Sequence, residues 1–169
     1  LSATQEDIRQ TGHSIELRIC AEDAGADFRP AIGEILLLDE PRGEGVRVDS
    51  GILEGGKVTT DFDPMLSKLI VHGQNRAEAI ARARAAVQDY VILGVTTNTG
   101  YLDAILGHPG FVSGAVSTGF LTEQAEVLTA RDDGMRDALM AAAALSDERL
   151  LHEVAQIPEL HRRMGAWRN

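Results

Sequence analysis

The chain has 169 residues, of which 44% are hydrophobic, 25% charged and only 4% aromatic, a composition typical of a soluble globular protein with an aliphatic core. Its 26 acidic and 16 basic residues give a net charge of -10, a field that repels phosphate backbones, so nucleic acid is excluded as a partner. No run approaches the roughly 18 apolar residues that a membrane span needs, so a membrane partner is excluded as well.

The first part of the chain indicates short strands separated by turns. In "SIELRIC", residues 14–20, apolar and polar side chains alternate, which predicts a half-buried strand. The stretch 21–33 is rich in Gly, Asp and Pro and predicts a loop. Further strands are expected in "EILLLDE", "VRVDSGIL", "KVTTDF" and "KLIVHG". Short strands with turn signals between them favour a compact antiparallel sheet or a small barrel.

The hydrophobic period changes from strand to helix after "KLIVHG". The segment 74–94, "QNRAEAIARARAAVQDYVILG", predicts a long helix. We expect Asn75 to cap its start and Gly94 its end. One apolar face of this helix is formed by Ile80, Ala83, Val87 and Val91.

Two shorter helical segments follow the long one. Strand character returns in "GVTTN", and "TGYLDAIL" then predicts a helix capped by Asn98 and closed by Gly107. A further helical turn is expected in "STGFLTEQ", capped by Ser117.

The composition changes after about residue 125. "GMRDALMAAAAL" is Ala-rich and "DERLLHEVAQI" also favours a helix, which Pro158 would break or restart. We therefore expect a helical appendage, with a domain boundary within residues 123–129.

The residue types that carry chemistry form no self-sufficient catalytic group in this sequence. The five histidines have no metal-ligand spacing, no glycine-rich loop is long enough to cradle phosphates, and no nucleophile motif occurs. Asp61 and Asp63 are either a carboxylate pair or turn residues before Pro64. Lys68 is either a buried charge partner or an edge lysine. Cys20 is the only cysteine, which fits a reducing compartment and a cytoplasmic location.

One arginine stands out because of its neighbours in "EGVRVDSG", residues 44–51. On a strand, Val46 and Val48 would face the core, while Arg47 and Asp49 would share the open face. Arg47 is then either half of a solvated ion pair that contributes little, or an anchor for an anion or a carbonyl group. The spacing leaves both interpretations open.

Six stretches occur in one order along residues 12–122. They are "GHSIELRICAED", "FRPAIGEI", "GVRVDSG", "DFDPMLSKLIVHG", "NRAEAIARARAAV" and "GVTTNTGYL". Together they resemble the C-terminal domain of the biotin carboxylase component of biotin-dependent carboxylases. The resemblance implies an α+β fold, a small antiparallel or barrel-like sheet with packed helices, over residues 13–122. Residues 1–12 would connect it to an upstream ATP-grasp domain, and residues 123–169 would be a helical linker.

The resemblance also implies a function. In this family, ATP activates bicarbonate, and the carboxyl group is placed on a ureido nitrogen of biotin. Arg47 matches the arginine that binds bicarbonate and the biotin ureido oxygen. ATP and Mg would bind the ATP-grasp domain, and biotin would sit on a separate carrier domain. Other implied partners are a second copy of the chain, with positions such as Arg76 near the dimer surface, and a carboxyltransferase subunit.

The sequence departs from the family in ways that leave the subfamily open. Pro30-Ala31-Ile32-Gly33 stands where Pro-Ser-Pro-Gly is common, and Asp61-Phe62 replaces a tyrosine pair. The nucleotide loop and the Met-Lys-Met biotinylation motif are absent, so the isolated chain is expected to be inactive. "VSTGFLTEQ" and the tail resemble acyl-CoA carboxylase α subunits. The alternatives are a urea carboxylase, or a non-catalytic dimerisation or scaffold module with the same fold.

Overall fold

The computed structural model describes residues 4–130. In this part of the chain the strands are β1 (His13–Cys20), β2 (Glu22–Asp23), β3 (Arg29–Pro30), β4 (Gly33–Glu34), β5 (Leu37–Asp39), β6 (Val46–Ser50), β7 (Lys57–Val58), β8 (Met65–Gly73) and β9 (Val91–Leu93). The helices are α1 (Arg76–Asp89), α2 (Thr99–Gly107), α3 (Pro109–Ser113), α4 (Phe120–Glu123) and α5 (Ala125–Leu128). The predicted α+β class is confirmed.

The main sheet has three antiparallel strands in the order β1–β8–β6. Leu69, in the central strand, lies opposite Leu17 on one side and Val48 on the other. The side chains on the same face as Leu69 point into the core. Those that alternate with them in β1 and β6 point outward. The strands predicted from "SIELRIC", "VRVDSGIL" and "KLIVHG" are confirmed.

Helix α1 covers the inner face of this sheet. It begins where predicted, because Asn75 Oδ1 accepts a hydrogen bond from the Glu78 N–H at 3.0 Å. Ala79 and Ala83 are fully buried against the sheet. The first turn of the helix comes so close to the end of β8 that a Cβ at Gly73 would lie 2.6 Å from the Ala79 nitrogen. Only glycine allows this approach.

The predicted end of α1 at Gly94 is wrong. The helix ends at Asp89, and Val91 belongs to β9 rather than to the apolar face of the helix. β9 pairs antiparallel with β5, with Ile92 opposite Leu38. A partner strand distant in sequence thus takes the backbone hydrogen bonds that a longer helix would have formed internally.

Four other predicted elements differ from the structure. "EILLLDE" is not one buried strand, because it divides into β4 and β5, which pair with β7 and β9 respectively. "GVTTN" is not a strand, since β9 ends before it at Leu93. The predicted loop over residues 21–33 contains the small β2–β3 hairpin. The strand expected in "KVTTDF" is reduced to β7, Lys57–Val58, which pairs with β4.

Asn98 precedes α2, as predicted, but its side chain caps no helix. Its Oδ1 accepts from the Cys20 N–H at 2.9 Å, and its Nδ2 donates to the Arg18 carbonyl at 3.1 Å. The Asn98 N–H also donates to the Cys20 carbonyl at 3.1 Å. One asparagine therefore pairs with the outer edge of β1 as a neighbouring strand would. Ser117 Oγ accepts from the Gly119 N–H at 3.1 Å, just before α4.

The helices predicted beyond Ala130 and the first three residues of the connector predicted for residues 1–12 lie outside the described residues. The boundary within residues 123–129 stays a prediction. Within residues 4–130, no helix has the length and apolarity to cross a membrane.

Candidate functional site

Arg47 is the second residue of β6 and lies on the outward face of the main sheet. Its neighbours Val46 and Val48 pack against the core, so the predicted alternation is confirmed. The Arg47 side chain is 72% exposed. β6 thus presents a guanidinium on an open sheet face.

Asp49 holds this guanidinium in a bidentate ion pair. Arg47 Nε donates to Asp49 Oδ1 at 2.7 Å, and Arg47 Nη2 donates to Asp49 Oδ2 at 3.0 Å. These hydrogen bonds lower the pKa of the Asp49 carboxyl group and raise the pKa of Arg47. Both groups are therefore charged throughout the neutral range, and the side chain of Arg47 has a defined direction.

A second cation lies on the other side of Asp49. Lys68, in β8, is directly opposite Asp49 in the strand register, and its Nζ lies 3.9 Å from Asp49 Oδ2. The next residue in this cross-strand row is Arg18 of β1. Arg18 Nε in turn lies 3.6 Å from Oε1 of Glu16, which is on the same strand.

The charges on this face, which we call the outer face, do not cancel. Strand parity places five charged residues on it: Glu16, Arg18, Arg47, Asp49 and Lys68. Three cations and two carboxylates leave a local positive excess on a chain whose net charge is -10. Such a surface favours a small anion close to Arg47.

The sequence identifies Arg47 and Asp49 but not the cross-strand row in which Asp49 lies beside Lys68 and Arg18. Lys68 is neither a buried charge partner nor an edge lysine, because β8 is the central strand and the Lys68 side chain is 39% exposed. Arg18 follows from the sequence only as part of the polar side of a strand. The strand parity of each residue could be predicted from the sequence, whereas the cross-strand register that aligns Arg18, Lys68 and Asp49 could not.

The remaining candidates do not form a site in the described part of the chain. Asp61 Oδ2 accepts from Thr59 Oγ1 at 2.7 Å, a local contact that fits the turn interpretation. No metal-binding group of His, Cys, Asp and Glu occurs within residues 4–130. Burial raises the pKa of the Cys20 thiol, so it is a poor nucleophile.

Arg76, expected near a dimer surface, packs inward in this structure. Its guanidinium carbon lies 4.7 Å from the centre of the Phe111 ring, and its Nη1 lies 3.1 Å from His13 Nε2. Arg76 therefore links α1 to α3 and to the start of β1. The homodimer itself stays a prediction.

Comparison with known proteins assigns this fold, including its main sheet, to a protein family. Residues 16–123 match the family model of the biotin carboxylase C-terminal domain. The chain belongs to this family. The predicted relationship is confirmed, and with it the conclusion that the α+β fold is that of this domain.

Relatives in this family are named for different substrates. The chain is 38% identical over 157 residues to the α subunit of a mitochondrial methylcrotonoyl-CoA carboxylase from Dictyostelium discoideum, covering 92% of this chain and 22% of that protein. It is 45% identical over 123 residues to one of the subunits of a pyruvate carboxylase from Methanothermobacter thermautotrophicus, covering 73% of this chain and 25% of that protein. The chain thus spans about a quarter of the length of these relatives.

A solved structure has the same fold. The biotin carboxylase domain dimer of Hydrogenobacter thermophilus 2-oxoglutarate carboxylase, in complex with MgADP, ADP and bicarbonate, superposes with a TM-score of 0.74 at 37% identity. The match covers 78% of this chain and 29% of that one.

Proposed function

We propose that this chain forms the C-terminal part of a biotin carboxylase and that Arg47 binds bicarbonate and the ureido oxygen of biotin there. The observation that carries the proposal is the exposed, permanently charged guanidinium of Arg47, held in one direction on a face with excess positive charge. Family membership and the bicarbonate in a related structure support the same assignment.

The chemistry suits a fixed cation. ATP and Mg, bound by an ATP-grasp domain elsewhere in the full-length protein, would supply the activation of bicarbonate, and biotin would arrive on a separate carrier domain. Arg47 would orient bicarbonate and stabilise the negative charge that develops on the ureido oxygen during carboxyl transfer. A preorganised donor acts strongly here because it needs no rearrangement as the charge forms.

We further propose that the complete protein is the α subunit of an acyl-CoA carboxylase. The supporting observation is that the match to the methylcrotonoyl-CoA carboxylase relative covers 92% of the chain, whereas the match to the pyruvate carboxylase relative covers 73%. A carboxyltransferase subunit would then be a partner. Urea carboxylase stays the alternative, and the acyl acceptor would be chosen by the partner subunit.

The dimer in the related structure supports the proposal that this protein also forms a homodimer. The cytoplasmic location stays a prediction based on a single cysteine, and the methylcrotonoyl-CoA carboxylase relative is a mitochondrial protein.

The test uses the full-length carboxylase with Arg47→Ala and Arg47→Lys. We expect Arg47→Ala to lower carboxybiotin formation by about 10²–10³-fold, as for the loss of one preorganised donor. Arg47→Lys should recover only part of the rate, because an ammonium group cannot reproduce the two-pronged geometry of a guanidinium. ATP binding and the thermal unfolding midpoint should stay close to wild type. The measurements are carboxybiotin formation and biotin-dependent ATP cleavage.

Arg42→Ala provides the matched control, since Arg42 is exposed and lies in the loop before β6. It should leave carboxylation unchanged. Near-normal carboxylation by Arg47→Ala would overturn the proposal. That result would favour the interpretation of Arg47 as half of a solvated ion pair that contributes little.

A further inference from the structure

We propose that Asp49 is a positioning residue for Arg47: it holds the guanidinium from one side so that the opposite edge meets the anion. This inference rests on the proposed function of Arg47. Asp49 itself would not touch the reacting groups.

The hydrogen-bond geometry divides the guanidinium into two edges. A guanidinium has five N–H donors, one on Nε and two on each terminal nitrogen. Among the described residues, the hydrogen bonds of Arg47 use Nε and Nη2, and both go to Asp49. The edge formed by Nη1 and the second hydrogen of Nη2 is thus directed away from Asp49. This edge offers two parallel donors to a planar oxyanion such as bicarbonate.

Without Asp49, this edge would have no fixed direction. Arg47 is largely exposed, and an exposed arginine side chain samples many rotamers unless a partner holds it. Its cross-strand neighbour in the register is Ile70, which supplies no charged partner. The carboxylate two residues along the same strand is therefore the group that fixes the guanidinium.

Lys68 explains why Asp49 does not cancel the charge that an anion needs. Asp49 lies between Arg47 and Lys68, so one carboxylate is shared by two cations. The three groups together carry one positive charge. An anion at the free edge of Arg47 therefore still meets an attractive field, while Asp49 stays ionised beside its two cations.

The experiment measures the bicarbonate dependence of carboxybiotin formation by the full-length enzyme carrying Asp49→Asn or Asp49→Glu. Asn keeps the size but loses the charge and one acceptor, so we expect the KM for bicarbonate to rise about 10- to 100-fold, the scale of a small misplacement of a binding group. The kcat should fall less, and ATP binding should not change. Asp49→Glu should recover part of the lost affinity because it restores the carboxylate.

Asp103→Asn is the matched control. Asp103 accepts from Arg84 Nε at 2.8 Å and from Arg84 Nη2 at 3.3 Å, a two-pronged ion pair of the same kind between α1 and α2. Its loss should leave the KM for bicarbonate unchanged. A rise in KM for this control equal to that of Asp49→Asn would overturn the proposal, because the effect would then be a general one of losing an ion pair.

A double-mutant cycle separates positioning from structural support. If Asp49 acts through Arg47, Asp49→Asn should cause no further rise in the KM for bicarbonate in an Arg47→Ala background. Two results would overturn the positioning role and leave the proposed function intact. One is that the two substitutions raise the KM for bicarbonate additively. The other is a wild-type KM in Asp49→Asn together with a strong loss of carboxybiotin formation in Arg47→Ala. Normal carboxybiotin formation by the Arg47→Ala enzyme would overturn the proposed function itself.

Discussion

At the scale of single residues, Tyr90 holds together parts of the chain that are distant in sequence. It follows α1 and is buried, and its hydroxyl donates to Glu40 Oε1 at 3.3 Å and lies 2.8 Å from the buried Ser67 Oγ. Burial is the main cause that raises the pKa of Tyr90. This network ties the end of the helix to β8 and to the segment after β5.

We expect Tyr90→Phe to lower the free energy of unfolding by about 1–2 kcal/mol at neutral pH, because the buried Ser67 hydroxyl loses its partner. Since the folded-state pKa is raised, the neutral phenol favours the folded state. The contribution of Tyr90 is complete below its unfolded pKa of about 10 and is lost as the pH rises through the folded value. The difference between wild type and Tyr90→Phe should therefore shrink above about pH 10. Urea unfolding at several pH values measures it.

Tyr101→Phe is the control for this residue, because burial alone raises the pKa of Tyr101. It should change stability at neutral pH by less than about 0.5 kcal/mol. A Tyr90→Phe protein as stable as the Tyr101→Phe protein at neutral pH would contradict the role given to the network.

At the scale of elements, the outer edge of β1 depends on Asn98. The asparagine is 7% exposed, and its side chain makes two hydrogen bonds to the backbone of β1, at the point where α2 begins. It therefore fixes the helix to the strand and satisfies an N–H and a carbonyl that would otherwise lie unpaired beside it.

We expect Asn98→Ala to lower the free energy of unfolding by about 2–4 kcal/mol, since two partly buried backbone groups lose their partners. The comparison is Asn75→Ala, which removes one exposed helix cap and should cost about 1 kcal/mol. Urea unfolding of the 169-residue chain gives both values. An Asn98→Ala protein no less stable than Asn75→Ala would show that the edge contacts contribute little.

At the scale of the whole molecule, the chain carries one side of a site whose other parts belong to a longer protein in the proposed function. It spans about a quarter of the length of its relatives. Its sequence contains no loop that could cradle phosphates, and its net charge of -10 opposes the binding of a nucleotide.

We therefore expect the isolated chain to bind no MgATP, whereas the full-length carboxylase should bind it. Titration calorimetry with MgATP should give no binding heat for the 169-residue chain up to millimolar nucleotide. Micromolar binding by the isolated chain would contradict this division of roles.

Local periodicity in the sequence was enough to specify several features of the fold and of the candidate site. The alternation in β1 and β6 follows from the two-residue period of a strand, so the shared outward direction of Arg47 and Asp49 could be predicted before their contact was known. The start of α1 at Asn75 could be predicted because the capping hydrogen bond lies within one turn.

Features that depend on pairing between distant segments emerged only when the chain was folded. α1 ends at Asp89 because Val91–Leu93 pairs with Leu37–Asp39, a contact that no local pattern encodes. Lys68 lies beside Asp49 because the register of β6 on β8 sets them opposite each other. Strand register depends on the packing of a whole face, and a shift of one residue would turn every side chain of the strand to the other side. The charge balance around Arg47 is therefore a property of the assembled sheet.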